Sequence, residues 1–291
     1  MLASFFQGIV RRLKSLRIST PFKEKRAMTT EATVPRSWDE ECSTYDAPYE
    51  THEVVLRARE KGLPWAQAED DYKDKSKLFP SVEAYRFDED GYPLNPSGRT
   101  MRRGRGLLGR WGVNAAIDAV VGCWDSEKTL FDVVLIQRKD NGAWGVPGGM
   151  LEGEDVYEEA VREFQEEAAA GQSLEAVKSL LSAERATIMT TLHVNDHRET
   201  DNSWIETTPV GFLLTREEMD KLETELQSGD DAANVALVKV DPQQAEPPVH
   251  RLNSTHWEII RAFAASQNQP EGVSAKVIEH QIWCGEEEER L

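Results

Sequence analysis

The chain has 291 residues, close to twice a typical domain length, which points to two modest domains or one large one. It carries 34 Lys and Arg against 52 Asp and Glu, a formal net charge of −18, and 39% of its residues are hydrophobic. That supports a sizeable core and argues against a general nucleic-acid binder, which needs a basic footprint. No run of 18 apolar residues is present, so no α-helix is expected to span a membrane, and Cys42, Cys123 and Cys284 lack metal-like spacing and point to a reducing compartment.

In chain order, residues 1–26 come first, with seven Lys or Arg and one acid, Glu24. Phe5, Phe6, Ile9, Val10, Leu13 and Leu16 share one side of a helix, and Arg11, Arg12, Lys14 and Arg17 surround it. An Arg-rich, acid-poor amphipathic start reads as a mitochondrial presequence, whose partner is the mitochondrial import machinery. A helix lying on a membrane surface, or a cytoplasmic chain with a disordered basic leader, are the alternatives. The expected organisation is a leader over 1–35, an N-terminal domain over 36–112, a catalytic domain over 113–265 and an acidic extension over 266–291, ending in Glu286 to Glu289.

Pro48, Gly62, Pro64 and Pro80 break the pattern between Arg36 and Pro80. Tyr85 and Phe87 alternate with polar neighbours and lead into Asp90-Gly91, a turn signal. Arg99, Arg102, Arg103, Arg105 and Arg110 then fall within twelve residues, interleaved with Gly98, Gly104, Gly106 and Gly109. Guanidinium groups match phosphate oxygens and glycines admit close backbone approach, so phosphate contact or an inter-domain hinge is expected, against a solvated surface loop. Strands are predicted at Ile117–Trp124 and Leu130–Arg138 as an antiparallel pair, and at Ile188–Val194, Trp204–Leu214 and Val235–Val240. Thr215 and Glu218 have capping-box spacing for a helix to Leu226, and Asn253 caps a last helix over 254–265. Strands with helical inserts and no βαβ repetition predict a mixed α/β/α architecture.

The segment GGMLEGEDVYEEAVREFQEEAAAG, residues 148–171, centres the functional reading. Asp155 to Ala170 reads as a helix capped by Asp155. At about 100° per residue, Glu159, Glu163, Glu166 and Glu167 share one face, and Tyr157, Ala160, Val161, Phe164 and Ala168 the adjacent one. Like charges three or four apart repel, which invites a partner. Arg162 is one. A divalent cation is another, and carboxylates without histidine or thiol suit Mg²⁺, with Mn²⁺ the alternative. A merely solvated acidic face is the plain alternative.

Gly148, Glu154, Arg162, Glu163, Phe164, Glu166 and Glu167 satisfy G-x5-E-x7-R-E-U-x-E-E, with U apolar. This string resembles the signature of the Nudix hydrolases, which cut nucleoside diphosphates linked to another group. The count holds from Gly148 and not from Gly149, and Ala169 stands where the family usually has glycine. The resemblance implies an α/β/α sandwich with a mixed β-sheet, preceded by a smaller β-containing N-terminal domain. It implies that Glu163, Glu166 and Glu167 bind Mg²⁺, with Glu154 supporting them or binding an additional ion, and that Arg162 holds the array.

The segments NPSGRT (95–100), GRTMRRGRGLLGRWGVN (98–114), AWGVPGGM (143–150), RETDNSWIET (198–207) and GDDA (229–232) resemble mitochondrial-type ADP-ribose pyrophosphatases. They also resemble the related C-terminal domain of ADP-ribose-gated melastatin-type channels. ADP-ribose is then the implied substrate, lying between the N-terminal and catalytic lobes and cut to AMP and ribose 5-phosphate. Asp196 and Arg198 match the ribose and phosphate side, Asn253 the adenosine side, and Arg105 is counted among the substrate-binding residues. Glu163, Glu166, Glu167 and Arg162 are the expected catalytic group; Glu167, Asp230 and Asp231 are candidates for the base. A non-hydrolysing ADP-ribose sensor and a hydrolase of another nucleoside diphosphate sugar are the rival readings. A monomer without nucleic-acid partners is favoured.

Overall fold

Short apolar runs broken by proline and glycine give the N-terminal part only small elements. The computed structural model describes residues 34–78, 85–153, 155–229 and 231–267. Residues 1–33 of the leader, residues 268–291, Glu154 and Asp230 lie outside the described residues. β1 (Tyr49–Thr51) is followed by α1 (Glu53–Glu60), whose N-cap is His52. β2 (Arg86–Phe87) and β3 (Pro93–Leu94) pair antiparallel around Gly91, whose φ of 88° suits only glycine. β4 (Arg103–Gly106) runs parallel to β1. Two small clusters hold this lobe together: Val55, Ala58 and Ala66, and Tyr72, Leu78 and Trp111.

The second lobe is a mixed sheet between helices. Its strands are β5 (Gly112–Trp124), β6 (Phe131–Arg138), β7 (Trp144–Gly145), β8 (Gly148–Met150), β9 (Ala186–Ile188), β10 (Leu192–Val194), β11 (Ser203–Leu213) and β12 (Ala232–Val240). The order is β10-β11-β5-β6-β12, with β7 on β6, β8 on β5 and β9 on β11. β5 and β11 are parallel from Gly112↔Ser203 to Gly122↔Leu213. The expected β5–β6 antiparallel pair forms, but only between Gly122–Trp124 and Phe131–Val133. β5 then diverges from β6 and accepts β8 (Gly148–Met150) along Ala116–Asp118 instead.

Period-two alternation divides the sheet between two cores. Ile117, Ala119, Val121, Val134 and Ile136 face α2 (Val156–Glu167), α3 (Leu174–Leu180) and α4 (Arg216–Glu225), whose contributions include Ala160, Val161, Phe164, Val177, Met219 and Leu222. Val120, Phe131, Val133 and Leu135 face α5 (Ser254–Gln267) through Trp257, Ile259, Ile260 and Phe263. Covering both faces explains why β5 and β6 read as near-continuous apolar runs. Burial of Phe164, fully excluded from solvent, contributes roughly 2–3 kcal/mol. The expected α/β/α sandwich with a smaller β-containing N-terminal domain is therefore the observed architecture. No helix among the described residues is long and apolar enough to cross a membrane.

From Pro35 on, the described residues belong to one compact unit. A buried polar segment, 199–203, joins the lobes. Asp201 accepts from Tyr45 Oη at 2.6 Å, Thr100 N at 2.7 Å and Thr100 Oγ1 at 2.9 Å. Asn202 accepts from Gly104 N at 2.9 Å and donates to Pro93 O at 3.0 Å, and Asn95 Nδ2 donates to Thr200 O at 3.1 Å. The buried polar side chains of Asp201 and Asn202 thus have partners, as burial demands.

Candidate active site

Asp155 accepts from the backbone of Tyr157 and Glu158 and starts α2 where the sequence places the cap. The helix ends at Glu167, three residues before the expected Ala170. Gln227 N donates to Ala168 O at 2.9 Å and Ala170 N donates to Gln227 O at 3.1 Å, so the segment at Gln227 takes a carbonyl and an N–H that a longer helix would use. Ala169 is tolerated in place of glycine because this exit does not pass through a positive φ.

One face of α2 buries Ala160, Val161 and Phe164; the other gathers the carboxylates around Arg162. Its guanidinium reaches Glu159 at 2.6 Å, Glu163 at 2.6 Å and Glu166 at 3.1 Å. Burial opposes the Arg162 charge, but Glu163, Glu159 and Glu166 outweigh it and hold the group above its ordinary range. Burial pushes Glu163 up to about 7, against Arg162 and with the help of Glu166 and Glu159. Burial likewise pushes Glu167 up to about 8; the Gly148 N–H and Arg138 oppose this, and Glu163 and Asp231 add to it.

The two glycines of the signature have separate jobs. Gly148 N donates to Glu167 Oε2 at 2.9 Å. A side chain on Gly149 would strike the Glu163 carboxylate, whose Oε1 lies 2.5 Å from where a Cβ would stand. Counting the signature from Gly148 therefore starts it at the residue that touches its last glutamate.

Among the described residues, Glu163, Glu166 and Glu167 are not drawn together, and no three His, Cys, Asp or Glu side chains form a ligand group. The reason is local. Arg162 draws Glu163 and Glu166 to itself, and Gly148 holds Glu167. The donor set still fits a hard divalent cation by its chemistry, since it is all carboxylate oxygen and carries uncompensated charge that burial penalises.

Asp196 and Arg198 lie just before the lobe-joining segment and grip each other: Arg198 Nε donates to Oδ1 at 2.7 Å and Nη2 to Oδ2 at 2.8 Å. Burial pushes Asp196 up, but the Arg198 hydrogen bonds outweigh it and leave it below the ordinary carboxylate range. Arg102 donates to the carbonyls of His197 and Glu199 and so fixes this turn. Asn253 caps α5, accepting from Thr255 N at 2.8 Å and His256 N at 3.3 Å.

Arg105 is placed elsewhere. It is 1% exposed and donates to Gln67 O, to Gly109 O at 3.1 Å and to Glu69 Oε2 at 2.6 Å, all within the N-terminal lobe. It is an internal clamp, and the expectation of a substrate contact there gives way to this one. Arg99 behaves similarly, donating to the carbonyls of Pro35, Ser37 and Glu40 and stacking on Trp38 and Tyr45. Within the Arg/Gly stretch, Arg99 and Arg105 tie the N-terminal lobe together, while Arg102 reaches across to the 197–199 turn.

One charged residue the sequence reading passed over belongs with the site. Arg138 ends β6, opposite Ala232 on β12, and Asp140 holds its guanidinium through contacts of 3.1 and 2.9 Å. Asp140 foremost keeps Arg138 above its ordinary range, and Glu167 and Asp196 both add to this. Arg138 therefore lies within electrostatic reach of the helix carboxylates and of the 196–198 turn. Its sequence signal was only its place at a strand end before the loop leading into the signature.

Residues 33–112 match the family described as NUDT9-like, N-terminal domain, and residues 115–263 match the NUDIX domain. The chain is 36% identical over 202 residues to the rat (Rattus norvegicus) protein named "ADP-ribose pyrophosphatase, mitochondrial", covering 62% of this chain and 55% of that one. It is 35% identical over 237 residues to the Caenorhabditis elegans protein named "Putative nudix hydrolase 6", covering 77% and 86%. It is 38% identical over 169 residues to "Transient receptor potential cation channel subfamily M member-like 2" of Nematostella vectensis, covering 52% of this chain and 11% of the channel. The chain thus spans little more than half of the rat protein's length.

Proposed function

The chain belongs to the Nudix hydrolases and carries a NUDT9-like N-terminal domain, and on that premise we propose that it hydrolyses the diphosphate of ADP-ribose to AMP and ribose 5-phosphate. The observation that carries this reading is the carboxylate face of α2 gathered around Arg162, with Arg138 in electrostatic reach both of Glu167 and of Asp196, the partner of Arg198.

A divalent cation, Mg²⁺ or Mn²⁺, would be held by Glu163, Glu166 and Glu167, with Glu154 in support. When bound, it neutralises diphosphate oxygens and lowers the pKa of a water. Glu167 or Asp231 takes the proton of the attacking water; Asp230 is the third candidate. Arg198 and Arg138 offer guanidinium donors to phosphoryl oxygens as charge spreads onto them. Asp196 accepts from ribose hydroxyls, and Asn253 contributes on the adenosine side from its place at the α5 cap. Arg162 stays with the carboxylates and sets their spacing. Water attacks phosphorus, so no covalent enzyme intermediate is needed.

The rival reading is a domain that binds ADP-ribose without cutting it. It draws on the engagement of Glu163 and Glu166 by Arg162, which a bound cation would have to displace. Chromatography of products after incubation with ADP-ribose and Mg²⁺, beside an EDTA control, separates the two. Stoichiometric AMP and ribose 5-phosphate, absent with EDTA, is the expected result. Intact ADP-ribose with calorimetric binding would favour the sensor, and turnover of other nucleoside diphosphate sugars would widen the substrate. The basic leader and the mitochondrial name of the rat relative support import into mitochondria as the proposed location; imaging of the tagged chain with and without residues 1–35 tests it.

A further inference from the structure

The segment 145–148 carries the Gly148 N–H to Glu167, and four contacts fix it from behind. Gly145 lies so close to the His256 ring that a side chain there would strike Nδ1. Val146 N donates to that same Nδ1 at 3.2 Å. Pro147 O accepts from Ala119 N at 2.8 Å. Gly148 lies against Asp118, whose Oδ1 a side chain at this position would also strike.

His256 itself is well held. Its backbone N–H is capped by Asn253 at 3.3 Å, Asn253 N donates to Trp144 O at 3.1 Å, and Trp144 N donates to Arg251 O at 3.0 Å. The ring is 17% exposed and the Asp118 side chain 9%, and His256 Nε2 stands 3.6 Å from Asp118 Oδ1. An Nδ1 that accepts a hydrogen bond leaves the ring proton on Nε2, facing that carboxylate. Asp118 thus favours the tautomer that Val146 needs.

We propose that His256, oriented by Asp118, is a positioning residue for Glu167: it fixes Val146, and two residues further the same extended backbone delivers the Gly148 N–H to the Glu167 carboxylate. The inference rests on the reading of Glu167 as part of the reaction centre. Neither side chain touches Glu167, so the effect passes through backbone alone. A backbone shift of a few tenths of an ångström at Val146 carries directly to the 2.9 Å contact at Gly148.

Two substitutions of similar polarity separate this role from simple packing. His256→Asn places a carbonyl oxygen where Nδ1 stands and keeps an acceptor for Val146. His256→Gln extends towards Asp118 and offers nothing at the Nδ1 position. Three readouts on the full chain are needed: Mn²⁺ affinity from the free-ion signal in electron paramagnetic resonance, steady-state kinetics on ADP-ribose, and melting temperature. The Gln variant is expected to lose about tenfold in Mn²⁺ affinity and in kcat with KM little changed, and the Asn variant to stay within about threefold of the parent. Asp118→Asn should fall between them. Equal Mn²⁺ affinity in the Asn and Gln variants would overturn the proposal, as would a loss confined to KM. If the parent chain does not cut ADP-ribose, the proposed function fails while the Mn²⁺ comparison still decides the positioning role.

Discussion

Two charged stretches stand out in this chain, and the structure uses them in opposite ways. The acidic face of α2 keeps its carboxylates beside one another around Arg162, half-buried and strained by mutual repulsion. In the Arg/Gly stretch from Arg99 to Arg110, Arg99, Arg102 and Arg105 direct their guanidiniums to backbone carbonyls and to Glu69, and Arg103 pairs with Asp88. The difference teaches that charge density alone does not mark a site. Periodicity on a helix keeps like charges together whatever the rest of the fold does, whereas charges on an irregular segment go where buried acceptors need donors.

The strongest way to break that comparison is to neutralise one group from each stretch. Glu167→Gln should lower turnover roughly a hundredfold or more while leaving the unfolding midpoint close to the parent's, read by AMP release and thermal melting. Near-parental turnover would remove the carboxylate face from the reaction. Arg105→Met should do the reverse. Two carbonyls and Glu69 would lose a buried donor, so stability should fall by about 3 kcal/mol in urea titration while KM for ADP-ribose changes little. A stable Arg105→Met protein that no longer binds ADP-ribose would return the Arg/Gly stretch to the site.

Arg198→Ala sharpens the boundary between the two. The residue sits just before the lobe-joining segment, yet it is about one-third exposed and its guanidinium bonds its own neighbour Asp196. Catalytic efficiency on ADP-ribose should drop about tenfold with less than about 1 kcal/mol lost in stability. A large stability loss with unchanged kinetics would class it with Arg105.

The smallest effect concerns a charge pair in neither stretch. Glu218 caps α4 and pairs with Arg185 through two hydrogen bonds of 2.8 and 2.9 Å, which foremost hold its carboxyl down to about 2. A carboxyl lowered in the folded state stabilises the fold above its unfolded pKa of about 4.5, and this is lost as pH falls through about 2. Solvent screening reduces the pair to about 1 kcal/mol, so Glu218→Gln should unfold more easily than the parent by that amount at pH 7, with the gap narrowing as pH falls towards 2. A difference that persists undiminished at pH 2 would assign the effect to the capping hydrogen bonds instead.

Local rules account for much of what the residues disclosed in advance. The Asp155 cap, the Thr215–Glu218 capping box and the Asn253 cap depend on spacings of two to four residues, and each forms. The division of α2 into an apolar and an acidic face follows from 3.6 residues per turn. By contrast, the early end of α2 depends on Gln227, sixty residues away from Glu167, and nothing near Ala168 in sequence announces it. Arg138 and His256 carried no motif, because each acts through a neighbour brought in by the sheet.

By itself, then, the sequence determined the local frame of this protein: where its main helices start, which face of α2 is acidic, and the family to which its signature belongs. The tertiary structure decided the rest. It set β5 parallel to β11, brought Gly148 to Glu167 and His256 to Val146, and buried Arg105 in the N-terminal lobe. The physical reason is range. Caps and helix faces are fixed by neighbours a turn away, whereas the fate of a buried charge depends on which distant donors and acceptors folding leaves beside it.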